Sequence, residues 1–309
     1  MNRRQFIKNA AVTSMVIAGG LNPSTGVAKK KPEKNIRWSM GWILWRDFKK
    51  QEIPITEAIS NLSDLGLDGI EFTPRKDELS KFGLTREQFR DLLVEKKLLV
   101  SGNYFGLGKD CFENDKRNAT LASFKETLEN LKFYGAKDVV IGPPGRVEGS
   151  INEMVGKMAP LVNELGKIAT DMDMRIGIHP HVNTIVEKPE EIDLIMELTD
   201  PKYVHMAPDT GHIFLGGGDV IEIIRKYRKR LSYFHLKDAS GTFNRPDFGP
   251  NLRELGKGAI DFASVMKILK ANKFSGWLNV EQDTTFSSPL QSATESMNYI
   301  DGTLKPIYT

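Results

Sequence analysis

From Ile36 onward, short apolar runs alternate with longer amphipathic segments through eight units, and this alternation constrains the fold more than any other feature of the chain. Two strands separated by a helix-length segment cannot pair through a tight turn. They run parallel, with the helix crossing over the face of the sheet. The apolar runs lie at 36–40, 67–72, 98–104, 137–142, 175–181, 203–208, 231–236 and 276–280. Helical periodicity marks 55–65, 85–97, 118–134, 152–172, 189–198, 219–230 and 261–271. Val139, Val140 and Ile141 form an unbroken apolar core that suits a strand buried on both faces. Thr85 with Gln88 three residues later predicts a capping box. No repeat, low-complexity tract or linker interrupts the pattern, so it predicts an α/β chain with one domain, a (β/α)8 barrel over 36–309.

In such a barrel the C-terminal ends of the strands converge on one mouth, where chemistry is built. All five histidines, His179, His181, His205, His212 and His235, fall between residues 175 and 239. The fifth run ends in His179-Pro180-His181, and the sixth leads into Asp209-Thr210-Gly211-His212. The seventh carries His235 with Lys237 and Asp238 beyond, and the eighth ends on Glu281. An isolated histidine at a strand end ordinarily satisfies a local hydrogen bond. Four strand ends carrying nitrogen or oxygen ligands together point instead to one divalent metal ion, with Mn, Co, Zn and Fe equally suited to imidazole and carboxylate. Glu71, near the end of the second run, reads either as a structural carboxylate or as a substrate-binding group. Asn103 and Tyr104 end the third run at the mouth. Trp42, like Trp45 and Phe105, either packs the barrel or offers a flat wall to a sugar ring. The loop 239–259, rich in Gly, Pro, Asn and Asp, is long enough to be a lid.

Composition removes several classes of partner. The formal charge of +3 includes Arg3, Arg4 and Lys8, with no acid before Lys29, so a chain starting near Lys29 is neutral and lacks the basic footprint of a nucleic-acid binder. The single cysteine, Cys111, excludes an intrachain disulfide framework and any cysteine-rich metal site. Paired arginines before Phe6, a small-residue apolar segment from Ala10 to Gly20, and Gly26-Val27-Ala28 as a cleavage site resemble a twin-arginine export signal over residues 1–28. That resemblance implies a periplasmic protein whose mature chain opens with a charged, mobile stretch at 29–35. The apolar segment falls short of the roughly 20 residues that span a bilayer, so no stable membrane span is expected.

Several phrases carry a wider resemblance: His179-Pro180-His181 with Thr184 and Val186-Glu187, Asp209-Thr210-Gly211-His212, His235-Leu236-Lys237-Asp238, Leu255-Gly256-Lys257-Gly258, and Val280-Glu281-Gln282-Asp283. With these the chain resembles the xylose-isomerase-like TIM-barrel superfamily of sugar isomerases and epimerases, and within it the inosose-dehydratase-like members. The resemblance implies a metal held by Asp209, His235 and Glu281, with His179 where most of the superfamily has a glutamate. His181 is the substitute for that fourth place. It further implies that His212 touches substrate hydroxyls, that Lys237 lies beside the reacting carbons, and that Glu187 belongs to the substrate site with Glu71, Asn103, Tyr104 and Trp42. The expected substrate is a cyclitol or sugar ketone, from which His181 or Lys237 removes an α-proton. The β-oxygen then leaves, as in inosose dehydration or cleavage of a 3-keto-glycoside, or the proton returns elsewhere, as in an isomerase or epimerase. A non-catalytic sugar-binding protein and association into a homo-oligomer stay open at this point.

Overall fold

Eight parallel strands pair edge to edge in the order β6-β5-β4-β3-β2-β1-β8-β7 in the computed structural model, which describes residues 35–46, 53–72, 76–113 and 115–308. The strands are β1 (Ile36–Gly41), β2 (Gly69–Glu71), β3 (Leu99–Gly106), β4 (Asp138–Gly142), β5 (Arg175–Ile178), β6 (Val204–Met206), β7 (Tyr233–Leu236) and β8 (Gly276–Val280). Single bridges between Met206 and Leu231 and between Asp209 and His235 join the two ends of the sheet, so the ring closes as the alternation predicts. From Lys34 to Thr309 the chain is one compact unit. The expected export signal at 1–28 and residues 29–34 of the expected charged stretch lie outside the described residues. No described helix is long and apolar enough to cross a membrane.

Local chemistry accounts for most of the helix boundaries. Thr85 accepts from the Gln88 N–H while the Gln88 side chain accepts from the Thr85 N–H, the predicted capping box of the helix Arg86–Glu95. The helix Arg117–Tyr134 stops at Gly135, which adopts φ +75. Ser150 caps Ile151–Asp171, whose buried face of Val155, Met158, Val162 and Leu165 packs inward.

Four helical segments escape the periodicity. Ile43–Arg46, Lys76–Lys81 and Thr210–Leu215 have four or six residues, too few to show a helical period. The fourth, Pro289–Tyr299, follows β8 and continues through a wider turn at Ile300–Leu304 to Lys305–Tyr308. It supplies the last crossover layer, burying Ala293, Met297, Ile300 and Leu304.

The loop after β7 is tied down rather than open. Asp238 and Ala239 pair antiparallel with Leu252 and Arg253. The Asp238 carboxylate accepts the backbone N–H groups of Ala239, Gly256, Gly258 and Ile260. A Cβ at Gly258 would stand 2.0 Å from Asp238 Oδ1, which explains glycine in the Leu-Gly-Lys-Gly phrase. The reach of that carboxylate therefore shapes the loop.

Candidate metal centre and active site

Ladder bonds continue past the strand ends and pin the residues that matter. His179 N–H donates to Ile141 O, Ala207 N–H to Ile178 O, His235 N–H to Pro208 O, and Glu281 N–H to Leu236 O. Alternation along an extended chain then aims His179, Asp209, His235 and Glu281 into the barrel. One ligand atom from each of these four lies within 4.8 Å of all the others. His179 Nδ1, Asp209 Oδ2 and His235 Nδ1 are buried without a hydrogen-bond partner. His235 Nδ1 sits 2.7 Å from Glu281 Oε2, close but lacking hydrogen-bond geometry. Burying an unsatisfied polar atom costs about 1–3 kcal/mol, so an orphaned His179 nitrogen beside two atoms held only by ion pairs, His235 Nδ1 to Glu281 and Asp209 Oδ2 to Lys237, fits a site built for a ligand, and two imidazoles with two carboxylates suit a divalent transition metal.

The surroundings orient these groups. His235 Nε2 lies 3.0 Å from Glu71 Oε1, while Asn279 Nδ2 donates to Glu71 Oε2 at 2.7 Å and Ser39 Oγ donates to Asn279 Oδ1 at 2.9 Å. Glu71 therefore fixes the His235 ring and leaves Nδ1 toward the cluster, an arrangement that raises ligand basicity. Glu71 also borders the cavity. Both readings of this residue meet in one position, with the structural contacts the more explicit.

The Asp-Thr-Gly-His phrase resolves into four separate tasks. Asp209 Oδ1 caps Thr210–Leu215 by accepting the His212 N–H at 2.8 Å. Thr210 Oγ1 donates to Lys237 O at 2.8 Å and lies 3.0 Å from the Lys237 N–H. A Cβ at Gly211 would meet Lys237 Cγ at 2.7 Å, so glycine makes room for the lysine stem. His212 Nε2 lies 3.0 Å from Lys237 Nζ. The lysine is 1% exposed, and its ammonium also faces Asp283 at 2.7 Å, Asp209 at 3.3 Å and Glu281 at 3.4 Å.

Charge is distributed accordingly. Burial works against the Lys237 charge, but Asp209, Asp283 and Glu281 outweigh it and hold the ammonium well above its ordinary value. Burial likewise opposes charge on His235, and Glu281 and Glu71 overcome it. Burial pushes Asp209 up to about 7 against the pull of Lys237. His181 is lowered by burial and by Lys237, and burial takes His179 well below the usual imidazole range, so both are neutral at physiological pH.

Ion uptake must therefore displace the His235 proton at neutral pH and a second from Asp209 below about 7. As the pH is lowered, affinity for the ion is expected to drop about tenfold per unit down to about 7 and about a hundredfold per unit below it. Calorimetry in buffers of different ionisation heat counts the protons released, and a pH-independent affinity between 5.5 and 8 would contradict the assignment.

The mouth opens into a cavity of about 970 Å³. Trp42, Asn103 and Tyr104 border it together with His179, His181, Lys237, Glu281 and Asp283, and the Tyr104 ring stands 5.6 Å from that of His179. Trp42 also packs against Phe72 and Phe82, so it serves wall and core together.

Glu187 and His212 sit differently from their expected places at the mouth, and His205, given no role by the sequence, lies below it. Glu187 does not line the cavity: the chain turns back at Asn183, with φ +65, and carries Glu187 behind the mouth. There it accepts from Asn183 N–H, Arg146 and Arg245, which makes it a buried clamp between the two arginines. His212 is fully buried behind His181 with Lys237 on its Nε2, and does not border the open cavity. His205 lies in β6 four residues before Asp209, roughly 13 Å down the strand from the mouth.

Two residues at the mouth received no role from the sequence. Asp283 stands two positions beyond Glu281, and the same alternation that assigns Glu281 could have found it. Phe248, in the irregular loop, covers the rings of His181 and His212 at 5.6 and 4.9 Å, and no periodicity could have announced it.

Residues 59–302 match the family described as xylose isomerase-like TIM barrel. The chain belongs to that family. It is 36% identical over 281 residues to an inosose dehydratase of Clostridium botulinum, covering 81% of this chain and 90% of the relative. An inosose dehydratase of Bacillus velezensis is 28% identical over 298 residues, covering 88% and 98%. Among solved structures, an IolI protein with a bound zinc atom superposes with a TM-score of 0.74 over 88% of this chain and 99% of that one, at 16% identity, a likeness of fold.

Proposed function

We propose that this protein is a divalent-metal-dependent lyase acting on a cyclic polyol ketone or keto-sugar. The observation that carries the reading is a buried Lys237 ringed by Asp209, Glu281 and Asp283, beside His181 at the rim of a four-ligand cluster. The inosose dehydratases among its relatives support the reaction class. When bound between His179, Asp209, His235 and Glu281, a divalent ion supplies Lewis-acid polarisation of a carbonyl.

His181 Nδ1 lies 2.6 Å from the Val182 carbonyl, so Nδ1–H donates there and Nε2 keeps its lone pair. Neutral, and facing the cavity, His181 is the base that takes the α-proton. Lys237, held as an ammonium, donates a hydrogen bond to oxygen as negative charge develops and does not serve as the base. The proton on His181 then passes to the departing β-oxygen: the α C–H and β C–O bonds break, a C=C bond forms, and water or an alcohol leaves.

The cavity is at the upper end for small-molecule sites and exceeds what one six-membered ring fills, which favours a substrate with a substituent on the β-oxygen. Metal-loaded protein incubated with inosose and with keto-glycosides tests the reading through enedione absorbance and aglycone release. A rearranged sugar alone would make the protein an isomerase or epimerase on the same site. Tight binding without turnover of either substrate would make it a sugar-binding protein.

We also propose that the protein is exported through the twin-arginine route, on the strength of Arg3-Arg4 before Phe6 and the small-residue segment after it. Replacing both arginines by lysine should leave the protein in the cytoplasm with its barrel intact. Fractionation with blotting reads the outcome, and undiminished periplasmic protein from the double variant would end the proposal.

A further inference from the structure

A second group of nitrogen donors stands beside the four-ligand cluster. The rings of His181 and His212 are 3.6 Å apart, and His179 lies 5.7 and 6.0 Å from them. One nitrogen of each of the three falls within 4.8 Å of the other two. His181 commits Nδ1 to the Val182 carbonyl and His212 faces Lys237 with Nε2, which leaves His181 Nε2 and His212 Nδ1 for a ligand. His212 Nδ1 and His179 Nδ1 are both buried with no hydrogen-bond partner, in side chains 0% and 1% exposed. One ion in the four-ligand cluster accounts for His179 but leaves His212 Nδ1 orphaned.

We infer that His179, His181 and His212 form a second metal seat, which takes a borderline dication such as zinc, copper or nickel. Three imidazoles with an open position toward the cavity match the preferences of these ions. Electrostatics permits it. The carboxylates of Glu71, Asp209, Glu281 and Asp283 outnumber the single Lys237 ammonium, so one dication in the first seat does not exhaust the local negative charge. Lys237 lies on the Nε2 side of His212, opposite the free Nδ1. The second seat is the weaker one, because it has no carboxylate and because a His179 nitrogen given to one ion is withdrawn from the other unless the ring bridges them. An ion there occupies His181 Nε2, so excess metal should inhibit turnover. That inhibition rests on the base role proposed above, whereas the binding does not.

Chelator-stripped full-length protein titrated with zinc, and separately with cobalt followed by its visible absorption, tests the seat directly. Two ions per chain are expected, the second at least about tenfold weaker. His181→Gln and His212→Gln should each weaken the second ion by more than about tenfold and retain the first, with folding checked by circular dichroism. His205→Gln, at the far end of the barrel, should change neither. If one variant fails to fold, the other still decides. A single equivalent up to millimolar zinc would overturn the inference, and so would a second equivalent that survives both variants, since that ion would sit elsewhere on the surface. Two-site binding without inhibition would leave the seat in place and count against His181 as the base.

Discussion

Asp209→Ala is expected to lower affinity for the tightly bound divalent ion by more than about 100-fold and to take turnover with it, because it removes a charged ligand at the centre of the cluster. Asp209 has a second task, since Oδ1 caps the helix Thr210–Leu215, and loss of a cap typically costs about 1 kcal/mol. Asp209→Asn separates the two. It retains an oxygen that can accept the His212 N–H but lacks the charge, so it should keep thermal stability close to the parent and still lose the tight ion. Glu281→Ala should give the same metal loss with no capping effect. Metal content by elemental analysis beside activity checks all three variants. Full activity in chelated, dialysed parent protein would remove the metal from the mechanism altogether.

His181→Gln should slow exchange of the substrate α-proton by about 10²–10⁴-fold, the usual cost of removing a general base, while substrate and the tight ion still bind. Deuterium incorporation at the α-carbon is the measurement. Lys237→Met distinguishes the neighbouring candidate, because stripping an ammonium from among Asp209, Glu281 and Asp283 leaves buried carboxylates facing one another, a loss of about 3–5 kcal/mol in comparable buried pairs. The lysine variant should therefore show a fall in thermal stability of the metal-free protein, which His181→Gln should not. Unchanged exchange in His181→Gln would transfer the base role to Lys237, and metal loss in that variant without metal loss in His179→Ala would reverse the assignment within the pair.

The two predictions rest on very different kinds of legibility. Asp209, His235 and Glu281 were readable from the chain because each follows an apolar run, and a parallel barrel sends every such strand end to the same mouth. Strand period and ladder register place these side chains before any tertiary detail is known. Lys237 was readable as a neighbour of His235, two positions on along the same face. Its protonation was not, because that depends on three carboxylates delivered by β6 and β8, and neither propensity nor spacing reports distance between strands so far apart in sequence. Glu187 shows the opposite failure: it stands in a family phrase beside site residues, but the turn at Asn183 and the pull of Arg146 and Arg245 carry it behind the mouth.

The sequence alone determined the parallel barrel, its strand order of appearance, the end of the barrel that carries chemistry, and the donor types gathered there, since these follow from local periodicity and the geometry of βα crossovers. The tertiary structure alone decided which imidazole nitrogens are free, which ammonium is locked, and that Phe248 covers two histidines. Those properties are set by burial and by contacts between distant strands and loops, through desolvation and short-range electrostatics that no local pattern encodes.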